Sequence, residues 1–148
     1  MKKLFIYYSY TGNGALVAER LASKGYDLRA VKRKKRMPHS FVFGILTGGF
    51  LAGIRHKDAL DGFDASVEEY DEIVIGSPVW NGRISSPINT VLSEIRTENK
   101  KLTFLFYAGS GEAPKAVGRI RKEYPSARCV LLKEPKKHPE ELVKVDEL

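Results

Sequence analysis

Residues 4–14 read LFIYYSYTGNG and join a short apolar run to a loop of hydroxyl residues and glycines. The run 4–8 has no polar alternation, which is typical of a strand that is covered on both faces of a sheet. The loop 9–14 separates this run from a helix-like repeat that begins near Gly14. A strand, a glycine-containing loop and a helix in this order indicate the start of an α/β fold.

The same alternation continues along the chain. Further apolar, β-rich runs are predicted as strands at 27–32, 72–76, 102–107 and 128–132. Apolar residues at spacings of three and four predict three helices, which carry Leu16, Val17 and Leu21, then Ile88, Val91, Leu92 and Ile95, then Ala116, Val117 and Ile120. Strands that alternate with helices predict a doubly wound parallel sheet.

Length and composition limit the class of protein. A chain of 148 residues is long enough for one domain, 1–148, and too short for two comfortable ones. One cysteine cannot form an internal disulfide, and no apolar run reaches the roughly 20 residues of a membrane-spanning helix. We therefore expect a cytoplasmic protein without a transmembrane segment. The net charge of +7 favours acidic or phosphate-bearing partners without choosing among them.

The loop 9–14 has the chemistry of a phosphate site. Gly12 and Gly14 let the backbone approach a ligand closely, and Ser9 and Thr11 add hydroxyl donors. The first turn of the next helix adds N–H groups and a partial positive charge. The loop lacks the Gly-Lys pair of ATP and GTP sites, and the dinucleotide pattern GxGxxG does not fit it. The alternative is an ordinary strand-to-helix turn capped by a hydroxyl residue.

Two further loops follow predicted strands at the same edge of the sheet, where ligands bind in folds of this class. Residues 76–87, GSPVWNGRISSP, contain Trp80, which either stacks on an aromatic ligand or packs beneath its own loop. Asn81 and Gly82 form a pair that tolerates positive φ. Residues 107–114, YAGSGEAP, follow the fourth strand. Each loop alone could be a simple turn, but three at one edge predict a binding site.

These three loops resemble those of the flavodoxins and related FMN-binding proteins. SYTGNG is similar to the flavodoxin phosphate loop, and the residues 77–80, SPVW, are similar to the loop that borders the flavin ring. The family usually ends the first loop with a hydroxyl residue, where this chain has Gly14. The resemblance covers residues 1–132 and implies a flavodoxin-like, doubly wound five-stranded parallel sheet of order 2-1-3-4-5 in a three-layer sandwich.

The resemblance also implies non-covalently bound FMN as the cofactor. The expected cofactor-binding residues are Ser9, Tyr10, Thr11, Gly12, Asn13, Gly14, Pro78, Val79, Trp80, Asn81, Gly82, Tyr107, Ala108, Gly109, Ser110 and Gly111. No catalytic side chain is expected, because the flavin carries the redox chemistry itself. We expect an electron-transfer protein that serves a redox partner protein, and the positive net charge suggests an acidic one. The alternatives are an FMN-dependent NAD(P)H reductase of quinones or other small acceptors, and a flavin-free interaction domain on the same fold.

Three stretches depart from the family pattern. The basic run 32–36, KRKKR, is expected to be a solvated strand end. The alternative is a patch for an acidic partner, for the 2′-phosphate of NADPH or for anionic lipid head groups. The apolar segment 41–54, within an insertion at about 39–56, is expected to fold onto the protein. A cap over the flavin, or contact with a second copy of the chain or a membrane surface, remains open for it. Beyond residue 132 the C-terminal end is shorter than the usual last helix of the family.

Metal and nucleic-acid sites are not expected. His39, His56 and His138 have no ligand-like spacing, and no cluster of Cys or acidic residues joins them. Aromatic residues do not interleave with the basic ones, as they do in proteins that bind single-stranded nucleic acid.

Overall fold

A computed structural model describes residues 1–35, 46–47, 50 and 56–148. Within these residues, five parallel strands form the sheet: β1 (Lys3–Tyr7), β2 (Asp27–Ala30), β3 (Glu72–Trp80), β5 (Lys101–Ala108) and β6 (Arg128–Lys133). Their order is β2-β1-β3-β5-β6, and a short strand β4 (Arg83–Ile84) pairs with β3 alone. Apart from β4, this is the predicted order 2-1-3-4-5, so the predicted topology is confirmed.

Helices cover both faces of this sheet. They are α1 (Asn13–Ala22), α2 (Ser86–Glu94), α3 (Pro114–Glu123), a 3-10 turn (Pro139–Leu142) and α4 (Val143–Asp146). Proline in the first turn of α2 and of α3 suits a position where the backbone N–H has no helical partner. No helix in the described part of the chain combines the length and the apolar character needed to cross a membrane.

The core lies on both sides of the central strands. Ile6 and Phe104 pack on one face with α2 and α3, whereas Phe5 and Leu105 pack on the other face with α1 and α4. All four side chains are fully buried, and each stabilises the fold by about 1.5–3 kcal/mol through loss of contact with water. The absence of polar alternation in these strands therefore reflects a three-layer sandwich.

The C-terminal end packs against α1. Val145 is fully buried among the apolar residues of that face. Arg20 in α1 donates two hydrogen bonds to the carboxylate of Asp146, at 2.6 and 2.5 Å. The short helix α4 thus covers the sheet face on which α1 lies.

The prediction that the third strand ends at Gly76 is wrong. Strand β3 continues through Trp80 and turns back into β4, with Val79 opposite Ile84 and Trp80 opposite Arg83. Asn81 and Gly82 form the turn with φ of 51° and 71°. Two residues with positive φ are the requirement of a type I′ hairpin turn, for which Asn-Gly is the preferred pair.

Most of the apolar segment 41–54 lies outside the described residues, so its predicted packing onto the protein is not tested. Leu46 and Phe50, which the structure does describe, have exposed side chains. Of the basic run 32–36, Lys32, Lys34 and Lys35 are exposed as expected, whereas the side chain of Arg33 is buried, and Arg36 lies outside the described residues.

Candidate functional site

A cavity of about 320 Å³ opens at the carboxyl ends of the strands, and we call it the main cavity. Its lining comes from the three predicted loops together with one residue that follows β6: Tyr10, Thr11, Asn13, Pro78, Val79, Trp80, Asn81, Tyr107, Gly109 and Glu134. The volume lies in the range of small-molecule sites. Nine of the sixteen predicted site residues therefore meet at one cavity.

The first loop is held in shape by its own serine. The Oγ atom of Ser9 accepts the backbone N–H groups of Gly12 and Gly14, each at 3.2 Å. Gly12 is the N-cap residue of α1 with φ of 96°, a conformation that glycine adopts at low cost. Ser9 therefore takes up the N–H of Gly14 in the first turn of α1, and the positive dipole end of the helix lies at this loop.

Gly14 is required by packing against Tyr107. A β-carbon at position 14 would lie 2.6 Å from the Oη atom of Tyr107 and 2.9 Å from the Cβ atom of Ser9. Tyr107 is buried, and its hydroxyl donates a 2.5 Å hydrogen bond to the carbonyl of Tyr8. Burial raises the pKa of Tyr107 well above its ordinary value, so the hydroxyl stays protonated. The side chain of Tyr107 thus excludes the hydroxyl residue that flavodoxins usually carry at this position.

Trp80 packs within the protein and also lines the main cavity, whereas its stacking on an aromatic ligand remains a prediction. Its side chain is 8% exposed and packs edge-on against Tyr8 and Tyr10, with ring centroids 5.7 and 6.5 Å apart. The same side chain lines the main cavity. Edge-to-face packing fixes the orientation of the indole ring, so the cavity has a rigid aromatic wall on this side.

Seven predicted residues lie outside the lining of the main cavity. Ser9, Gly12 and Gly14 shape the first loop, and Gly82 forms the hairpin turn, where its carbonyl accepts the N–H of Ala116 at 3.1 Å. The remaining three are Ala108, Ser110 and Gly111.

Ala108 is buried, and its carbonyl accepts the N–H groups of Gly111 and Glu134, each at 3.2 Å. Ser110 is exposed and bonds to Glu112 instead. The third loop therefore contributes Tyr107 and Gly109 to the cavity, and its other small residues shape the turn.

Sequence reasoning missed the segment that follows β6. Glu134 lines the main cavity, and a second cavity of about 370 Å³ is lined by Thr11, Asn13, Glu134, Lys136 and Lys137. We call this the lysine cavity. The available signal was that the loop after the fifth strand lies at the same edge as the other three loops.

A buried ion pair lies behind the aromatic wall. The Nε atom of Arg33 is 2.6 Å from an Oδ atom of Asp58, and each side chain is 7% exposed. Asp58 also accepts a 2.6 Å hydrogen bond from the hydroxyl of Ser86. Burial raises the pKa of Tyr8, and Arg33 nearby partly opposes this shift. The pair joins the chain after β2 to the start of α2.

No group of three or more His, Cys, Asp or Glu side chains able to hold a metal ion occurs within the described residues. The described side chains that surround the main cavity are mainly aromatic, amide and hydroxyl groups, with one carboxylate. Such a lining suits a planar organic ligand with a polar end.

The strand order and the position of the cavity define the flavodoxin-like fold. No protein-family model matches the sequence, and no curated protein matches it significantly. A protein from Bacteroides eggerthii DSM 20697 that is classed as a flavoprotein matches with a TM-score of 0.76, 21% identity and coverage of 98% of both chains.

Two other solved structures have the same fold. A flavoprotein from Lactobacillus acidophilus NCFM, solved in complex with FMN, has a TM-score of 0.68 and 24% identity over 86% of this chain and 89% of its own. Flavodoxin 1 from Bacillus cereus has a TM-score of 0.52 and 16% identity over 100% and 99%. These likenesses show that the chain has the flavodoxin-like fold.

Proposed function

We propose that this chain binds FMN in the main cavity and acts as an electron-transfer flavoprotein. The observation that carries the proposal is the junction of three loops, each at the carboxyl end of a different strand, around one cavity with an aromatic wall. One neighbour of the same fold is an FMN complex, which supports the proposal.

The residues of the site fit the two ends of FMN. The loop 9–14 lies at the start of helix α1, where Gly12 and Gly14 keep the backbone free of side chains, and such loops bind phosphate groups. Trp80 and Asn81 would border the ring, and Thr11 and Asn13 of the loop 9–14 line the same cavity. When bound, FMN supplies one-electron and two-electron chemistry. The protein would hold the cofactor, orient the ring and limit its contact with water.

Two lysines lie beside the loops that form the main cavity, which bears on the electron donor and acceptor. The stem of Lys115 lies 3.7 Å from where a β-carbon on Gly82 would be, and Nζ of Lys136 lies 3.6 Å from the same point on Gly12. Positive groups around a redox centre favour an acidic partner protein. They would equally suit the phosphates of NAD(P)H, so the alternative function is an FMN-dependent reductase of quinones or other small acceptors.

The single cysteine agrees with a reducing compartment. Cys129 is a free thiol in β6, and burial raises its pKa, so it remains largely unreactive. We therefore expect the protein to act in the cytoplasm.

An experiment that loads the protein with FMN and then reduces the flavin distinguishes the electron carrier from the reductase. Apoprotein would be loaded with FMN, freed of excess cofactor and reduced anaerobically, first by stepwise photoreduction and then, in a fresh sample, by NADH or NADPH. The carrier predicts two resolved one-electron steps and slow reduction by the nucleotides, whereas rapid reduction by either nucleotide would indicate the reductase. Failure to retain FMN would refute both and leave an interaction domain.

A pair of glycine variants provides the matched control. Gly12 has φ of 96° in the first loop. Gly25 has φ of 83° and lies between α1 and β2, at the amino-terminal ends of the strands and away from the cavity. Alanine costs about 1–2 kcal/mol at either left-handed position. Gly12→Ala should lose FMN, whereas Gly25→Ala should keep it at a similar loss of stability.

A further inference from the structure

The segment after β6 folds back onto the first loop. The N–H of Lys136 donates a 2.9 Å hydrogen bond to the Oδ1 atom of Asn13, and the N–H groups of Lys137 and His138 bond to the carbonyl of Glu134. Glu134 has φ of 33°, and its own N–H bonds to Ala108 at the end of β5. These contacts fix the backbone of Lys136 beside the start of α1.

The side chain of Lys136 crosses the first loop. Its Nζ atom donates a 3.3 Å hydrogen bond to the carbonyl of Thr11 and lies 3.6 Å from where a β-carbon on Gly12 would be. The ammonium group is therefore placed at the loop whose N–H groups and helix end already favour an anion.

The local charge balance leaves Lys136 as the net positive group. Glu134 and Lys137 form an ion pair at 3.2 Å, so their charges offset one another. Within residues 1–35 and 56–148, no carboxylate is paired with Lys136. The lysine cavity shares Thr11, Asn13 and Glu134 with the main cavity, so a ligand in the main cavity can extend to this ammonium group.

We propose that Lys136 is a specificity residue whose ammonium group binds the flavin phosphate and makes the site prefer FMN over riboflavin. This ammonium group replaces the phosphate contact of the hydroxyl side chain that Tyr107 excludes from position 14. This inference rests on the proposed function, because it assigns a role within the same cofactor site. It also explains how a chain without that hydroxyl keeps a phosphate-selective loop.

The test measures the affinity of two flavins rather than activity. Dissociation constants for FMN and riboflavin would be determined by flavin fluorescence for the wild type, Lys136→Met, Lys136→Arg and Lys122→Met, at low and at high salt. Lys122 is an exposed lysine in the last turn of α3, and its replacement gives the same change in net charge away from the loop. Riboflavin lacks the phosphate and reports on the ring site alone.

Lys136→Met should weaken FMN binding by about tenfold, the usual size of one charge-assisted hydrogen bond, and leave riboflavin binding within about twofold. Lys136→Arg should retain most of the preference, Lys122→Met all of it, and the preference of the wild type should fall with added salt. If the wild type binds FMN and Lys136→Met keeps the same FMN-to-riboflavin ratio, the inference is wrong. Equal weakening of both flavins would also overturn it, since Lys136 would then only order the loop. A wild type that does not bind FMN refutes the proposed function itself.

Discussion

Replacing Gly14 by alanine tests the packing between the first loop and β5. The new β-carbon would lie 2.6 Å from Tyr107 Oη and 2.9 Å from Ser9 Cβ, closer than such atoms can approach. Overfilling a packed site costs typically about 1–3 kcal/mol. A shift of Tyr107 would also break its hydrogen bond to the Tyr8 carbonyl, which adds about 1 kcal/mol. Alanine in a helix returns about 0.5–1 kcal/mol.

The free energy of unfolding of Gly14→Ala, measured with urea, should therefore fall by about 2 kcal/mol. Gly118→Ala is the matched control, because Gly118 lies in α3 and a β-carbon there would have no neighbour within 4 Å. That variant should gain about 0.5–1 kcal/mol. Because Tyr107 also lines the main cavity, Gly14→Ala should weaken FMN binding as well, while Gly118→Ala should not.

A double variant tests whether contact with the Tyr107 hydroxyl causes the loss of stability in Gly14→Ala. Tyr107→Phe removes the Oη atom of the closest contact, so Gly14→Ala should be less costly in the Tyr107→Phe background than in the wild type by about 1 kcal/mol. Equal stability of Gly14→Ala and Gly118→Ala, or strict additivity in the double variant, would refute the packing argument.

Three further predictions concern a buried ion pair, a buried carboxylate and the hairpin turn. Asp58→Asn weakens the buried pair with Arg33 and should lower the free energy of unfolding by about 3 kcal/mol in urea, whereas no loss would show that the pair is dispensable. Burial alone would raise the pKa of Glu72. The hydrogen bonds from the Tyr26 hydroxyl and from Lys101 together outweigh the effect of burial, so the pKa of Glu72 is lowered from 4.5. Its stabilising effect is present above pH 4.5 and is lost as pH falls through the folded-state pKa, so Glu72→Gln should be destabilised at pH 7 and converge with the wild type in acid. Asn81→Ala should cost about 1 kcal/mol at φ of 51°, and Asn81→Gly much less, in thermal unfolding.

The strand order and the helix faces could be predicted because each depends on local pattern. The unbroken apolar runs of β1, β3 and β5 reflect burial on both faces, and the short connections allow few topologies. The end of β3 could not be predicted, because a glycine after an apolar run is typical of a strand end, whereas Gly76 lies inside β3. Its lack of a side chain has another cause, since a β-carbon there would lie 2.7 Å from Phe5 Cζ.

The site could be predicted where its residues lie at or shortly beyond the carboxyl end of a strand, as Tyr10, Trp80 and Tyr107 do. The position of Lys136 could not, because it depends on a hydrogen bond to Asn13 across 123 residues of sequence. No local pattern in the segment after β6 indicates that contact. The packing contact between Gly14 and Tyr107 could not be predicted either, since it joins α1 to a strand far along the chain.

The fluorescence of Trp80 reports whether FMN binds in the main cavity, because the chain has one tryptophan and that residue lines the cavity. Apoprotein would be titrated with FMN and tryptophan emission followed, with Trp80→Phe as the background and riboflavin as the second ligand. FMN bound in the main cavity should quench this emission saturably with one FMN per chain, and riboflavin should bind more weakly. Emission that does not change in a saturable way with FMN would contradict this prediction, and the flavodoxin-like fold would then serve another purpose in this protein.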